Sequence, residues 1–278
     1  GVFGTRMKEN VIRVGGDAII INDDWGKPVD SQKVEQALID NPDAKILAFV
    51  HAETSTGAIS DAKQLCELAN KHSCLSIVDA VTSLAGSELR VDDWGIDAIY
   101  SGSQKCLSAM PGLSPVSFSE KAIHKFTNRN TPVTSWFLDL NLVMGYWGKG
   151  AKRAYHHTAP VNTLYGLHES LVMLTEEGLE SSWARHKENH LLLRDGLSKL
   201  GINYLVDESS RLPQLNSVYI PDESDDAKVR SSLMNDFNIE IGAGLGDLAG
   251  QIWRIGLMGH TSRKENVEFC LSALEKAL

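Results

Sequence analysis

Lys105 closes the stretch Ser101-Gly-Ser-Gln-Lys105, just beyond the apolar run Asp97-Ala-Ile-Tyr. Two earlier apolar runs end the same way. Cys74-Leu-Ser-Ile-Val is followed by Asp79-Ala-Val-Thr-Ser, and Lys45-Ile-Leu-Ala-Phe-Val by His51-Ala-Glu-Thr-Ser-Thr-Gly57. An amine, a carboxylate, a carboxamide, an imidazole and several hydroxyls therefore follow short apolar segments. The amine and the carboxylate have a specific joint use. An enzyme built on pyridoxal 5'-phosphate (PLP) needs a lysine that forms an imine with the cofactor. It also needs an acid paired with the pyridine nitrogen, which keeps that nitrogen protonated so that the ring can accept electrons from a substrate carbanion. Small residues around Lys105 let the backbone approach a bulky ring. Taken singly, each residue has an ordinary reading: a loop lysine is a solvated charge, and an aspartate after a strand caps a turn. The combination is what points to chemistry.

For these tips to converge, the runs must be neighbouring strands of a parallel sheet, because ligands in open α/β sheets bind beyond the carboxyl ends of the strands. The patterns predict this. Strands are expected at Asp17–Ile21, Lys45–His51, Cys74–Asp79, Asp97–Ser101 and Ser114–Ser119. Helices are expected over Val29–Asp40 and Asp61–His72, the latter with Leu65, Leu68 and Ala69 on one face. Short continuous apolar strands between helical segments indicate βαβ units and a sheet buried on both faces. The second half reads as α+β. Helices are predicted over Val161–Glu177, about Leu179–Leu200 and Arg263–Leu278, with their Trp and Leu positions in the core. Strands are predicted at Asn203–Val206, Ser217–Ile220, Ile239–Ile241 and Gln251–Ile255. The expected division is a large domain over 1–176 and a smaller C-terminal domain over 177–278.

The bulk composition narrows the partners. Among 278 residues, 27 Lys and Arg face 36 Asp and Glu, a net charge of −9. An acidic chain without a basic tract disfavours nucleic acid and anionic membrane, and no apolar run is long enough to span a bilayer. The four cysteines, Cys66, Cys74, Cys106 and Cys270, form no C-x-x-C pair. They read as reduced thiols of a cytoplasmic protein.

At Val78-Asp-Ala-Val-Thr-Ser-Leu-Ala-Gly and Tyr100-Ser-Gly-Ser-Gln-Lys-Cys-Leu the sequence resembles the class V aminotransferases of PLP fold type I. The likeness is greatest to the alanine–glyoxylate and serine–pyruvate aminotransferase group. His51-Ala-Glu-Thr-Ser-Thr-Gly, Tyr155-His-His-Thr-Ala-Pro and Trp253-Arg-Ile-Gly-Leu-Met-Gly match as well, in order along essentially the whole chain. The resemblance implies an α/β large domain with a mostly parallel sheet and a smaller α+β domain. It implies roles too: Lys105 carries the cofactor and Asp79 pairs with its ring nitrogen. Val81 packs on the ring, Thr54 lies near the phenolic oxygen and Gln104 contacts the phosphate. Tyr155 and Thr158 reach the phosphate from a neighbouring subunit, hence a homodimer. Arg254 grips the substrate carboxylate, which a guanidinium fork suits on chemical grounds alone. Without the resemblance, a structural ion pair is the rival for Arg254.

The implied reaction moves an amino group from a small amino acid (alanine or serine) to a small 2-oxo acid (glyoxylate or pyruvate). Ureidoglycine or aminoethylphosphonate as donor, and a catalytically silent fragment, are the alternatives. The last is motivated by Gly1-Val-Phe-Gly, which in the family lies past an upstream segment that carries a glycine-rich phosphate turn and a ring-stacking aromatic. That segment is expected to be missing. Cysteine desulfuration, which needs a mobile cysteine, is disfavoured. Gly242-Ala-Gly-Leu-Gly-Asp-Leu-Ala-Gly250 departs from a nucleotide-binding G-x-G-x-x-G and reads as a loop between strands. His156-His157 reads as structural, with divergent side chains and no metal. Gly145, Gly148 and Gly150 suggest a loop extended towards a partner.

Overall fold

The structure is a computed structural model that describes residues 1–146 and 154–278; Gly148 and Gly150 of the expected extended loop lie outside them. The chain opens with a helix that the apolar patterns did not predict, α1 (Val2–Arg13), which buries none of its residues. No strand forms over Asp17–Ile21. Ile19 and Ile20 are 60% and 44% exposed, and only Ile21 packs against the core. The apolar triplet has no neighbouring strand to pair with, and strand formation requires one.

The rest of the first half follows the predicted alternation. Helix α2 (Ser31–Asp40) is capped by Asp30, whose side chain accepts the amides of Gln32 and Lys33. Strand β1 (Ile46–Val50) leads to a small hairpin, β2 (Ala52–Glu53) and β3 (Ala58–Ile59). Helix α3 (Ala62–Lys71), capped by Asp61, is followed by β4 (Leu75–Asp79), β5 (Ala98–Tyr100) and β6 (Val116–Phe118). Helices α4 (Glu120–Thr127), α5 (Leu140–Val143), α6 (Val161–Glu177) and α7 (Leu179–Lys199) come next. The chain ends with β7 (Leu215–Tyr219), α8 (Asp226–Phe237), β8 (Gly242–Ala243), β9 (Ile252–Gly256) and α9 (Lys264–Ala277).

The first sheet has the order β1-β4-β5-β6, with its first three strands parallel and β6 antiparallel at the edge. Register sets which residues share a face. Phe49, Val78 and Ile99 are aligned and pack with Val34, Leu38 and Leu65 of α2 and α3. Each such side chain contributes roughly 1.5–3 kcal/mol when fully buried. One residue further on, Val50, Asp79 and Tyr100 are aligned on the opposite face, at the carboxyl ends of the strands.

The second sheet is antiparallel, in the order β7-β9-β8, and packs against α7, α8 and α9 around the fully buried Trp253, Leu233 and Leu274. The strand predicted at Asn203–Val206 shrinks to one bridge, Tyr204 to Val218, and the one predicted at Ile239–Ile241 forms just beyond it as β8. The connection read over Gly242–Gly250 is narrower than expected: Gly242 and Ala243 are β8 itself, and the link to β9 starts at Gly244, where a Cβ would stand 1.9 Å from the Leu248 carbonyl oxygen. The expectation that the leucines of α6 lie in the core is met only in part. Helix α6 buries no residue fully: Leu167 and Leu174 pack half-buried against Ala85, Cys106 and Leu107, whereas Leu164 and Leu171 are 42% and 44% exposed.

All four cysteines are free and buried. Among the described residues no helix is long and apolar enough to cross a membrane, and no group of three or more His, Cys, Asp and Glu could hold a metal ion.

His51 carries a consequence for stability. It lies edge-on to Trp94, 3% exposed, with Nδ1 lacking a hydrogen-bond partner among the described residues. Burial pulls its pKa down to about 4, with Asp61 acting weakly the other way. The unfolded chain, with an ordinary imidazole, therefore binds more protons as pH falls below about 6.5, and folding weakens until the folded-state pKa is passed. Urea unfolding at about pH 7.5 and about pH 5 should show a loss of about 2 kcal/mol from this group. His51→Gln should reduce the loss by that amount, and an unchanged pH dependence would show that His51 contributes nothing to it.

Candidate active site

Hydrogen bonds tie the three strand tips together. The Ala80 amide donates to the Tyr100 carbonyl, and Ser101 Oγ donates to the Ala80 carbonyl at 3.0 Å. The lysine loop is closed by its own backbone: Ser108 N donates to the Lys105 carbonyl at 2.9 Å and Ala109 N to the Ser103 carbonyl at 2.9 Å. Ser103 Oγ adds a bond to the Met110 carbonyl at 2.6 Å, and Cys106 Sγ reaches the Thr82 carbonyl at 3.3 Å. Lys105 is half-buried and Gln104 exposed. A Cβ on Gly102 would lie 2.7 Å from Gln104 Oε1, the movable end of an exposed side chain.

Asp79 is 7% exposed and accepts two donors, the Val81 amide on Oδ1 and the Tyr100 hydroxyl on Oδ2, each at 2.9 Å. Burial raises its pKa, against the pull of both hydrogen bonds. Val81 itself is half-buried beside it. Thr54 is buried, and its carbonyl accepts a bond from Arg254 Nη1 at 3.1 Å. This contact, across 200 positions of sequence, brings the arginine of β9 to the rim. Arg254 Nε donates to the Ala243 carbonyl at 2.7 Å. Both partners are backbone carbonyls, not the carboxylate that the ion-pair reading requires. Burial lowers the pKa of the guanidinium, while Glu53 works to raise it.

The hairpin that carries Thr54 is held on the second sheet at Gly57. There φ is +81°, and the Leu215 carbonyl would lie 3.0 Å from a Cβ. The amino end of α1 docks on the same hairpin: Val2 N donates to Ser55 Oγ at 2.9 Å, and Gly4 N to Glu53 Oε2 at 3.3 Å.

A second anchor was invisible to the motif analysis. His186 on α7 is fully buried and accepts the Gly259 amide on Nε2 at 2.9 Å, which leaves Nδ1–H to donate to the Ser182 carbonyl at 2.7 Å. Arg185 Nη1 donates to the Gly259 and Ser262 carbonyls, each at 2.8 Å. The turn thus held donates from His260 N to Ser108 Oγ at 2.8 Å, so α7 braces the lysine loop through the turn after β9. Single residues at these separations leave no pattern in a sequence; only Tyr100, immediately before the Ser-Gly-Ser-Gln-Lys stretch, had a neighbourhood that could have drawn attention to it.

Tyr155 and Thr158 do not join the rim of their own chain. Their hydroxyls bond each other, and Tyr155 is 76% exposed. His156 and His157 do not diverge as expected. A bend at His157 brings their Nδ1 atoms to 2.8 Å, and His156 stacks on Trp136.

The rim suits PLP. The Asp79 carboxylate has one donor on each oxygen and retains acceptor capacity for a ring N–H. An amine stands on the adjoining loop.

Comparisons with known proteins bear on the same point. Residues 14–267 match the family model Aminotransferase class-V. Alanine–glyoxylate aminotransferase of Callithrix jacchus is 40% identical over 280 residues, an alignment that takes in all of this chain and 67% of that relative. The (S)-ureidoglycine–glyoxylate transaminase of Bacillus subtilis (strain 168) is 37% identical over 296 residues, covering all of this chain and 70% of that one. The crystal structure of an alanine–glyoxylate aminotransferase from Nostoc sp. superposes with a TM-score of 0.95 at 44% identity, over 99% of this chain and 72% of that one. Fold and site together define a PLP-dependent enzyme of fold type I. The chain belongs to the class V aminotransferases, and its reaction is transamination.

Proposed function

We propose that the rim formed by Lys105, Asp79 and Arg254 transfers the amino group of alanine or serine to glyoxylate or pyruvate. The observation that carries this reading is the reach of Arg254 to the Thr54 carbonyl. It brings a carboxylate-binding cation from the second sheet to the strand tips of the first. Bound PLP supplies a ring that accepts the electron pair left when the substrate loses its α-proton. Lys105 would hold the cofactor, and its amine would move the proton at the substrate α-carbon. Asp79 keeps the ring nitrogen protonated. Val81 packs on the ring face, Thr54 stands by the phenolic oxygen, and Gln104 meets the phosphate. Residues 1–176 act as the cofactor-binding domain and 177–278 as the smaller domain that brings Arg254.

Cysteine desulfuration finds no support. Burial pushes the Cys106 thiol up to about 12 and the Cys270 thiol up to about 11, so neither is a thiolate nucleophile near neutrality. A ureidoglycine donor is the second reading, favoured by the Bacillus subtilis relative. A panel of donors against glyoxylate and pyruvate separates the two. No turnover with any donor, and no cofactor absorbance band on added PLP, would favour a silent fragment. Four buried free thiols support a reducing, cytoplasmic setting.

Arg254→Lys should raise KM strongly for carboxylate-bearing donors, because an ammonium replaces the bidentate fork by a point charge. Amines without a carboxylate should lose little further activity. Equal damage to both kinds of substrate would return Arg254 to a structural role.

The working unit in this reading is a homodimer, with Tyr155 and Thr158 serving the cofactor phosphate across the interface. Support comes from the uncovered apolar surface of Trp136, Phe137, Leu138 and Tyr165, 62%, 54%, 68% and 72% exposed, close in sequence to those two residues. PLP affinity should fall when sedimentation shows the dimer diluted apart, and a monomer that retains the cofactor would remove the shared site.

A further inference from the structure

Tyr100 ends β5 in register with Asp79 at the end of β4, so both side chains leave the sheet on one face. The tyrosine hydroxyl donates to Asp79 Oδ2 at 2.9 Å, while the Val81 amide donates to Oδ1 at 2.9 Å. We propose that Tyr100 is a positioning residue for cofactor capture, its hydroxyl fixing the plane of the Asp79 carboxylate and favouring the anion that the ring nitrogen requires. The inference rests on Asp79 as the partner of that nitrogen.

The geometry supports both halves of this role. Two donors on different oxygens stop the carboxylate from rotating about its bond to Cβ. Each oxygen still has a lone pair, so the site for a ring N–H is already oriented. Hydrogen bonds to an ionised acceptor are about twice as strong as neutral ones.

The surroundings of Asp79 are finely opposed. Burial works against its charge, and Glu53 of β2 adds to that. The Val81 amide, Tyr100 of β5 and the charge of Arg6 on α1 favour the anion. Tyr100 is the donor among these that one substitution deletes without altering charge or backbone. Its own hydroxyl stays protonated over the working range, because burial first, and then the Asp79 charge, raises its pKa.

Tyr100→Phe tests the role while keeping the ring. The apo form of the whole chain is titrated with PLP, by absorbance, between about pH 5 and about pH 8. The PLP dissociation constant should rise about tenfold near neutrality. The acid limb of its pH profile should also move to higher pH, since the carboxylate is then harder to ionise. Tyr100→3-fluorotyrosine, a stronger donor of nearly the same shape, should move the limb to lower pH. It keeps the question answerable if the phenylalanine variant folds poorly. A limb that stays in place in both variants, whatever the change in affinity, overturns the proposal. Asp79→Asn tests the underlying assignment separately. Loss of the acid limb there, with no movement in the Tyr100 variants, leaves Asp79 in its role and removes only Tyr100. An unchanged limb in Asp79→Asn overturns both.

Discussion

Lys105→Ala should abolish transamination with every donor, because the covalent hold on the cofactor and the group that moves the α-proton vanish together. The fold should survive. Lys105 is half-buried, and the bonds that close its loop run through the Ser108 and Ala109 amides and Ser103 Oγ, none of which needs the lysine side chain. Circular dichroism should therefore match the parent while turnover falls to background. Borohydride reduction followed by peptide mapping identifies the attachment point independently. Cofactor found on another lysine would falsify the assignment even if the variant were inactive.

Asp79→Ala should reduce transamination by several orders of magnitude. The ring nitrogen would lose the anion that keeps it protonated, and with it the capacity to hold the electrons of the departing α-proton. A second cost falls on the fold. The Val81 amide and the Tyr100 hydroxyl both donate to this carboxylate and would be left without an acceptor. A buried unsatisfied group costs about 1–3 kcal/mol, so a modest fall in thermal midpoint should accompany the kinetic loss. Turnover within a few fold of the parent would rule out Asp79 as the nitrogen partner, and a variant that unfolded outright would be replaced by Asn. The two substitutions differ in what they leave behind: without Lys105 the cofactor can bind but not covalently, whereas without Asp79 it can attach but not function as an electron sink.

Much of this site could be read before the fold was known, for a reason visible in its strands. Ile46–Val50, Leu75–Asp79 and Ala98–Tyr100 are largely apolar because the sheet buries one face on α2 and α3 and leaves most of the other half-buried, and polarity returns where each strand emerges. A parallel sheet aligns those points of emergence, so Asp79 and the Lys105 loop could be placed on one rim from their order alone. The helices α3, α6, α7 and α9 were legible from apolar spacing, with ends near those observed. Helix α1 was not, because none of its residues is fully buried and no strong apolar stripe marks it.

By itself, the sequence determined the alternation of strands and helices, the chemistry available at each strand end and which lysine and acid stand there. These are local properties, set by which residues must leave water and where the chain turns. Tertiary structure alone decided that Arg254 meets the Thr54 carbonyl, that Tyr100 steadies Asp79, and that His186 braces the lysine loop through Gly259. It also decided that Leu164 and Leu171 of α6 remain exposed and that Asp17–Ile21 forms no strand. Each of these depends on which distant segment packs alongside, and a hydrogen bond or a buried face is a property of two surfaces, of which a local pattern describes only one.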